Sequence, residues 1–167
     1  ILVSANERLD FYVKKKPGNT PVSTESLEID HTKLMHVIGV RADLNEFFHI
    51  HPIRTKDIGV LSVNYQFKNP GLYKIWSEIK KSDINYSFGH PEISVSGSGM
   101  KENKLISFGR NMIVDKYQVS LNLEEPVEKG HEHVLSFDIH TLTGAEIALE
   151  DYLGAPMHLS IIKDDFK

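Results

Sequence analysis

The sequence predicts an all-β protein built as an antiparallel β-sandwich. Three observations point there. Nearly every apolar stretch is rich in β-branched and aromatic residues, turn signals separate these stretches at short intervals, and no 3.6-residue apolar period persists beyond a turn or two. Many short strands with one apolar face each bury those faces by packing sheet on sheet.

The expected strands, in order, are "LDFYVKK" (9–15), "KLMHVIGV" (33–40), "EFFHIHP" (46–52), "GVLSVNYQF" (59–67) and "GLYKIWSEI" (71–79). They continue with "PEISVSG" (91–97), "DKYQVSLNL" (115–123), "HVLSFDIHT" (133–141) and "APMHLSIIK" (155–163). Pro17-Gly18-Asn19, Asn69-Pro70-Gly71 and Thr143-Gly144 supply turns between them. "RADLNEF" and "ALEDYL" are each long enough for one helical turn. In "GLYKIWSEI", Tyr73, Ile75 and Ser77 share one face, and Leu72, Lys74 and Trp76 the other.

The chain has 167 residues, 40% of them hydrophobic and 25% charged, which describes a globular chain rather than a disordered one. Its net charge of -4 argues against nucleic acid as a partner, and the one basic cluster, Lys14-Lys15-Lys16, sits beside a proline–glycine turn. No apolar stretch is long enough to span a bilayer as a helix. With no cysteine there is no disulfide, no thiolate zinc site, no cysteine nucleophile and no blue-copper thiolate. The chain opens at Ile1 rather than Met, which fits loss of an upstream segment and export.

A boundary is expected near "SGSGMKENK" (96–104), dividing the chain into a first β-sandwich unit at 1–97 and a second, related and abbreviated unit at 98–167. The relation rests on the match between residues 9–45 and 135–167. "MHVIGVRADLN" aligns with "MHLSIIKDDFK" without a gap, so His36 corresponds to His158. The second copy stops before a counterpart of "FFHIHP", so either that unit is abbreviated or the chain is a fragment.

The candidate site comes from the first copy. Side chains at i and i+2 of a strand share a face, so His49 and His51 point the same way. A hairpin closed through Arg41–Glu46 with Val40 opposite Phe47 sets Ile38 opposite His49 and His36 opposite His51. Directly opposed Cβ atoms lie about 4.5–5.5 Å apart, close enough for imidazoles to share an ion. A one-residue slip would send His36 to the other face. Three neutral imidazoles suit Cu(II), Zn(II), Ni(II) or Fe(II). Met35, by parity, points away and offers no sulfur for Cu(I). His31, five residues before His36, joins as a further ligand if the approach to the strand is irregular. Asp30, Glu46 and Asp57 are near enough in sequence to orient ring nitrogens. The plain alternative is a satisfied core histidine at His36 and a wet strand end at His49 and His51.

The other histidines read as structural or solvated: His131 and His133 at a strand mouth, His140 on an exposed face, His90 in a turn before proline. No G-x-S-x-G elbow, phosphate-binding glycine loop or H-E-x-x-H pair occurs. The cupin arrangement of H-x-H lacks its following glutamate and later histidine here.

"DHTKLMHVIGVRADLNEFFHIHP", "YLGAPMH" (152–158) and "NPGLYKIW" together resemble a poorly characterised bacterial family with an H-x-K-L-M-H…D-L-x-x-F-x-H-x-H-P pattern. The resemblance runs from about Leu9 to Lys167. It implies an exported protein, periplasmic or extracellular, of immunoglobulin-like or cupredoxin-like sandwich units, often associated with heavy-metal or copper handling. It supports His31, His36, His49, His51 and His158 as metal-site residues. "IGVRADL" departs from the serine usual before the aspartate.

The leading expectation is therefore a non-catalytic, exported metal-binding protein, with copper as the ion and zinc as the alternative. His158 marks a partial site in the second copy, or one completed by another chain. A second reading is an interaction module of a larger exported assembly, its histidines buttressing a strand pair. A third is a mononuclear metalloenzyme, for which the sequence offers no general base beside the histidines.

Overall fold

The strands follow one another at the short intervals that the turn residues set. The computed structural model describes residues 1–98 and 109–163. The strands are β1 (Asn6–Tyr12), β2 (Lys14–Lys15), β3 (Thr20–Pro21), β4 (Met35–Arg41), β5 (Phe47–Ile50), β6 (Ile53–Arg54) and β7 (Val60–Gln66). They continue as β8 (Gly71–Lys81), β9 (Ile84–Gly89), β10 (Ile93–Val95), β11 (Asn111–Val114), β12 (Tyr117–Leu123) and β13 (Leu135–Thr141). The all-β antiparallel sandwich expected from the sequence is what forms.

One sheet runs β10-β8-β4-β5, with β9 paired to the far half of β8, and the facing sheet runs β1-β7-β6. Alternation drives the packing. Along β8, Tyr73, Ile75 and Ser77 are buried, the face read from the sequence, while on the other face Leu72 is exposed and Lys74 and Trp76 are half-buried; Ile79 continues the buried row. From the facing sheet, Leu9 and Leu61 meet Met35, Val37, Phe48, Tyr73 and Ile75 in one core, joined by Phe67. Each such side chain contributes roughly 1.5–3 kcal/mol on leaving water.

β4 is the central strand and is buried on both faces, with Ile38 alone half-exposed. It pairs antiparallel with β8 (Met35 with Ile79 through Arg41 with Tyr73) and with β5. The β4–β5 register is the expected one, Val40 opposite Phe47 and Ile38 opposite His49. Phe48 opposes Gly39, and its ring occupies the space where a residue-39 side chain would stand.

"RADLNEF" closes this hairpin as a loop rather than as a helical turn. Arg41 donates through Nε and a terminal nitrogen to the two Asp43 carboxylate oxygens at 2.7 and 2.6 Å, and both side chains are almost fully buried. Burial disfavours the Asp43 charge, but the Arg41 and Asn45 hydrogen bonds prevail and hold its carboxyl below the usual range. The described helical structure is one 3-10 turn at Thr24–Ser26, where the Ser23 hydroxyl accepts the Glu25 N–H. "ALEDYL" carries no helical turn.

The chain divides into two compact units, Ile1–Leu105 with Tyr152–Lys167, and Ile106–Asp151. The second unit's described strands, β11, β12 and β13, form a three-stranded antiparallel sheet with Val119, Leu121, Phe137 and Ile139 half-buried. Residues 99–104 of the expected boundary segment, and 164–167 of the second copy's "MHLSIIKDDFK", lie outside the described residues. Tyr152–Lys167, read from sequence as the tail of the second unit, belongs to the first. "APMHLSIIK" is also not a strand: among the described residues it has no ladder partner beyond the Tyr152–Ala155 bridge and runs as an irregular strap.

Candidate metal centre

β4 and β5 carry three histidines to the face of their sheet that points away from the core. His36 leaves β4, His49 sits within β5 opposite Ile38, and His51 follows β5 by one residue. Core-facing neighbours alternate with them: Val37 and Gly39 on β4, Phe48 and Ile50 on β5. Period-two geometry and the loop-fixed register therefore bring the three imidazoles together.

The ring centroids are 5.3 Å apart for His36–His49, 5.0 Å for His36–His51 and 4.6 Å for His49–His51. One nitrogen from each ring lies within 4.8 Å of the others, so this trio can hold a metal ion. The closest pair, His36 Nδ1 and His49 Nε2, is 3.1 Å apart. Around a tetrahedral ion with bonds of 2.0–2.1 Å, ligand nitrogens stand about 3.3 Å apart, so only modest inward movement is needed.

His36 is buried, and its Nε2–H donates to the Asp30 carbonyl at 2.9 Å. That bond fixes the tautomer and leaves the Nδ1 lone pair of His36 to accept from His49 Nε2–H. Asp30 is placed for it by a tight turn. Asp30 and Lys33 exchange backbone hydrogen bonds, and His31 and Thr32 between them have φ of 42° and 69°. Two consecutive left-handed residues are what a primed hairpin turn requires, and neither is glycine, so the backbone holds strain next to the site.

Burial is the main force on the other two rings. It pushes His51 down to about 4, with the neighbouring His49 and His36 adding to the shift. It lowers His49 as well, helped by His36 and His158 and opposed by Glu78. Both rings are thus kept neutral, the form that binds metals. The Nε2 of His51 is buried and has no hydrogen-bond partner. A buried polar nitrogen without a partner costs stability, and an ion among the three rings removes that cost.

The remaining candidates fall around this trio. His31 is exposed, its ring 6.1 Å from His36, so the irregular approach does bring it to the rim. His158 makes edge contact with His31 at 5.4 Å. The three carboxylates do not orient the trio's ring nitrogens as expected. Asp30 acts through its carbonyl, and its carboxylate stands 4.0 Å from His31 and accepts from Asn85. Glu46 accepts from the Tyr73 hydroxyl, the Asn69 amide and the Lys68 N–H, where it ties the hairpin loop to β8. Asp57 lies in the β6–β7 turn beside Thr55. Met35 is in the core, facing away from the site as parity required.

Glu78 was not legible as a neighbour of the site. It pairs with His36 across the β4–β8 ladder, and only that non-local pairing reveals it.

Of the other histidines, His90 bonds the Ser77 hydroxyl at 2.8 Å, and burial lowers its pKa. His131 pairs with Glu128 and His133 bonds the Glu128 backbone, both in an exposed turn. His140, expected on an exposed face, is half-buried with Nδ1 shielded from water, because the strand end bridges to Glu146.

Fold and site together define a β-sandwich protein with a histidine trio that can hold a metal ion on one sheet face. Residues 1–95 match a family model described as a domain of unknown function (DUF8832), and the chain belongs to that family. The matched stretch contains His31, His36, His49 and His51. No curated protein and no solved structure matches the chain.

Proposed function

We propose that this chain is an exported metal-binding protein, periplasmic or extracellular, that takes up copper through His36, His49 and His51, with His31 at the rim of the site. The observation that carries the metal-binding reading is the convergence of three imidazole nitrogens within 4.8 Å, around a buried His51 nitrogen that lacks a partner. A purely structural trio would have every buried nitrogen satisfied by protein groups; both nitrogens of His36 are, by the Asp30 carbonyl and by His49, but the buried His51 Nε2 is not.

Copper(II) is favoured over zinc by the donor set. Neutral imidazoles without thiolate bind divalent first-row ions in the order that peaks at Cu(II). The export assignment rests on the resemblance of the histidine motif to exported metal-handling proteins.

Isothermal titration of Cu(II) and Zn(II) into the wild-type chain and His49→Ala/His51→Ala tests this. Stoichiometric Cu(II) binding by the wild type, tighter than Zn(II) and lost in the double variant, is expected. Equal, weak binding by both proteins would leave the structural reading in its place.

A further inference from the structure

The strap 152–163 repeats a device found beside the trio. Asp30 and Lys33 are bridged across two left-handed residues, and three residues later His36 places Nε2 2.9 Å from the Asp30 carbonyl. Tyr152 and Ala155 are bridged across Leu153 and Gly154, whose φ are 54° and 81°. Three residues later His158 places Nε2 2.7 Å from the Tyr152 carbonyl. In both, a methionine precedes the histidine. The lock has the same chemical consequence twice: the proton sits on Nε2 toward the carbonyl, and Nδ1 keeps its lone pair. On His36 that lone pair faces the trio.

The strap also lies on the trio's side of the sheet. Leu159–Lys163 line a cavity of about 370 Å³ with Ile38, Trp76, Glu78 and Ser87. Ile38 stands opposite His49, and Glu78 opposite His36. His158 itself touches His31, whose ring neighbours His36. Among the described residues, 157–163 join no ladder, and the strap meets the sheet through side chains that line this cavity. Three imidazoles leave one position of a four-coordinate ion open.

We infer that His158 is the fourth ligand of the ion held by His36, His49 and His51, binding through Nδ1, so that the ion fastens the strap to the sheet. This rests on the metal-binding reading of the trio. The strap lies outside residues 1–95, the stretch matched to the DUF8832 family.

The test uses the full chain with Cu(II) as the probe, comparing wild type, His158→Ala and His49→Ala. Affinity in His158→Ala is expected to fall on the order of tenfold or more. Electron paramagnetic resonance should show one coupled nitrogen fewer, while binding itself persists. Hydrogen exchange on the wild type provides a check that needs no variant: amides of 152–163 should slow when Cu(II) is added. Tight binding by the wild type, with identical affinity and spectrum in His158→Ala and no slowing in the strap, would overturn the fourth ligand and leave the trio standing. Absence of binding by the wild type would overturn both.

Discussion

Phe48 lies across Gly39 from the opposing strand, and a Cβ on residue 39 would stand 2.0 Å from the ring's Cζ. The ring cannot step aside, because it packs against Tyr65 at 4.3 Å and against Phe67 at 5.9 Å in the core. Glycine at 39 is therefore a packing requirement of the hairpin that carries His36 and His49. Gly39→Ala should cost about 1–3 kcal/mol through overpacking. Because His49 follows Phe48 directly, displacement of the ring should also weaken metal binding. Urea denaturation with a parallel Cu(II) titration checks both effects, and unchanged stability would mean that the core yields more than its packing indicates.

The Arg41–Asp43 pair closes the same hairpin from the inside, with side chains 2% and 4% exposed. A guanidinium that deep, left without its carboxylate, keeps the Pro70 carbonyl at 3.3 Å as its hydrogen-bond acceptor among the described residues. Asp43→Ala should therefore cost roughly 3–5 kcal/mol, whereas Arg41→Met/Asp43→Ala should recover part of that loss. Asp43 has its folded pKa below the unfolded value of 3.8, so its contribution is present above that value and fades as pH falls through the folded pKa. Denaturation midpoints of the single and double variants at neutral pH decide the matter; a double variant less stable than Asp43→Ala would contradict it.

Much of the site was legible because it follows from local rules. Parity put His49 and His51 on one face, and the short loop fixed the register that brought in His36. What escaped was set by chain segments distant in sequence. Glu46 looked like a partner for imidazole because it sits near the histidines in sequence. It faces the opposite side of β5's sheet, where Tyr73 and Asn69 from the β8 region claim it. β9 was missed because Ile84–Gly89 is exposed along its whole length and gains its place by pairing with the far half of β8. The strap misled for the converse reason: "MHLSIIK" has strand composition, but it joins no described ladder and its residues instead line the cavity over Ile38, Trp76 and Glu78. Composition reports what a segment prefers, not whether an edge is open to it.

The pH dependence of binding follows from the desolvated trio. An ordinary imidazole titrates near 6.5, and the sequence alone suggests that affinity falls through that value. Burial moves His51 to about 4 and lowers His49. The sign follows directly: a folded pKa below the unfolded one means the neutral, metal-binding form survives as pH drops from 6.5 toward 4. The same shift makes the metal-free fold most stable above 6.5 and progressively less so through that window, because the unfolded chain binds the protons first. Three imidazoles titrating as in water would each lose about tenfold between pH 7.5 and 5.5, about a thousandfold together. Here His51, at about 4, contributes almost no loss and His49 is lowered as well, so the fall should stay well short of that thousandfold. Zn(II) affinities at the two pH values, measured on His158→Ala so that the strap histidine does not contribute, provide the comparison. A thousandfold drop would show that the three rings titrate as exposed histidines do, and that burial does not hold them ready for the ion.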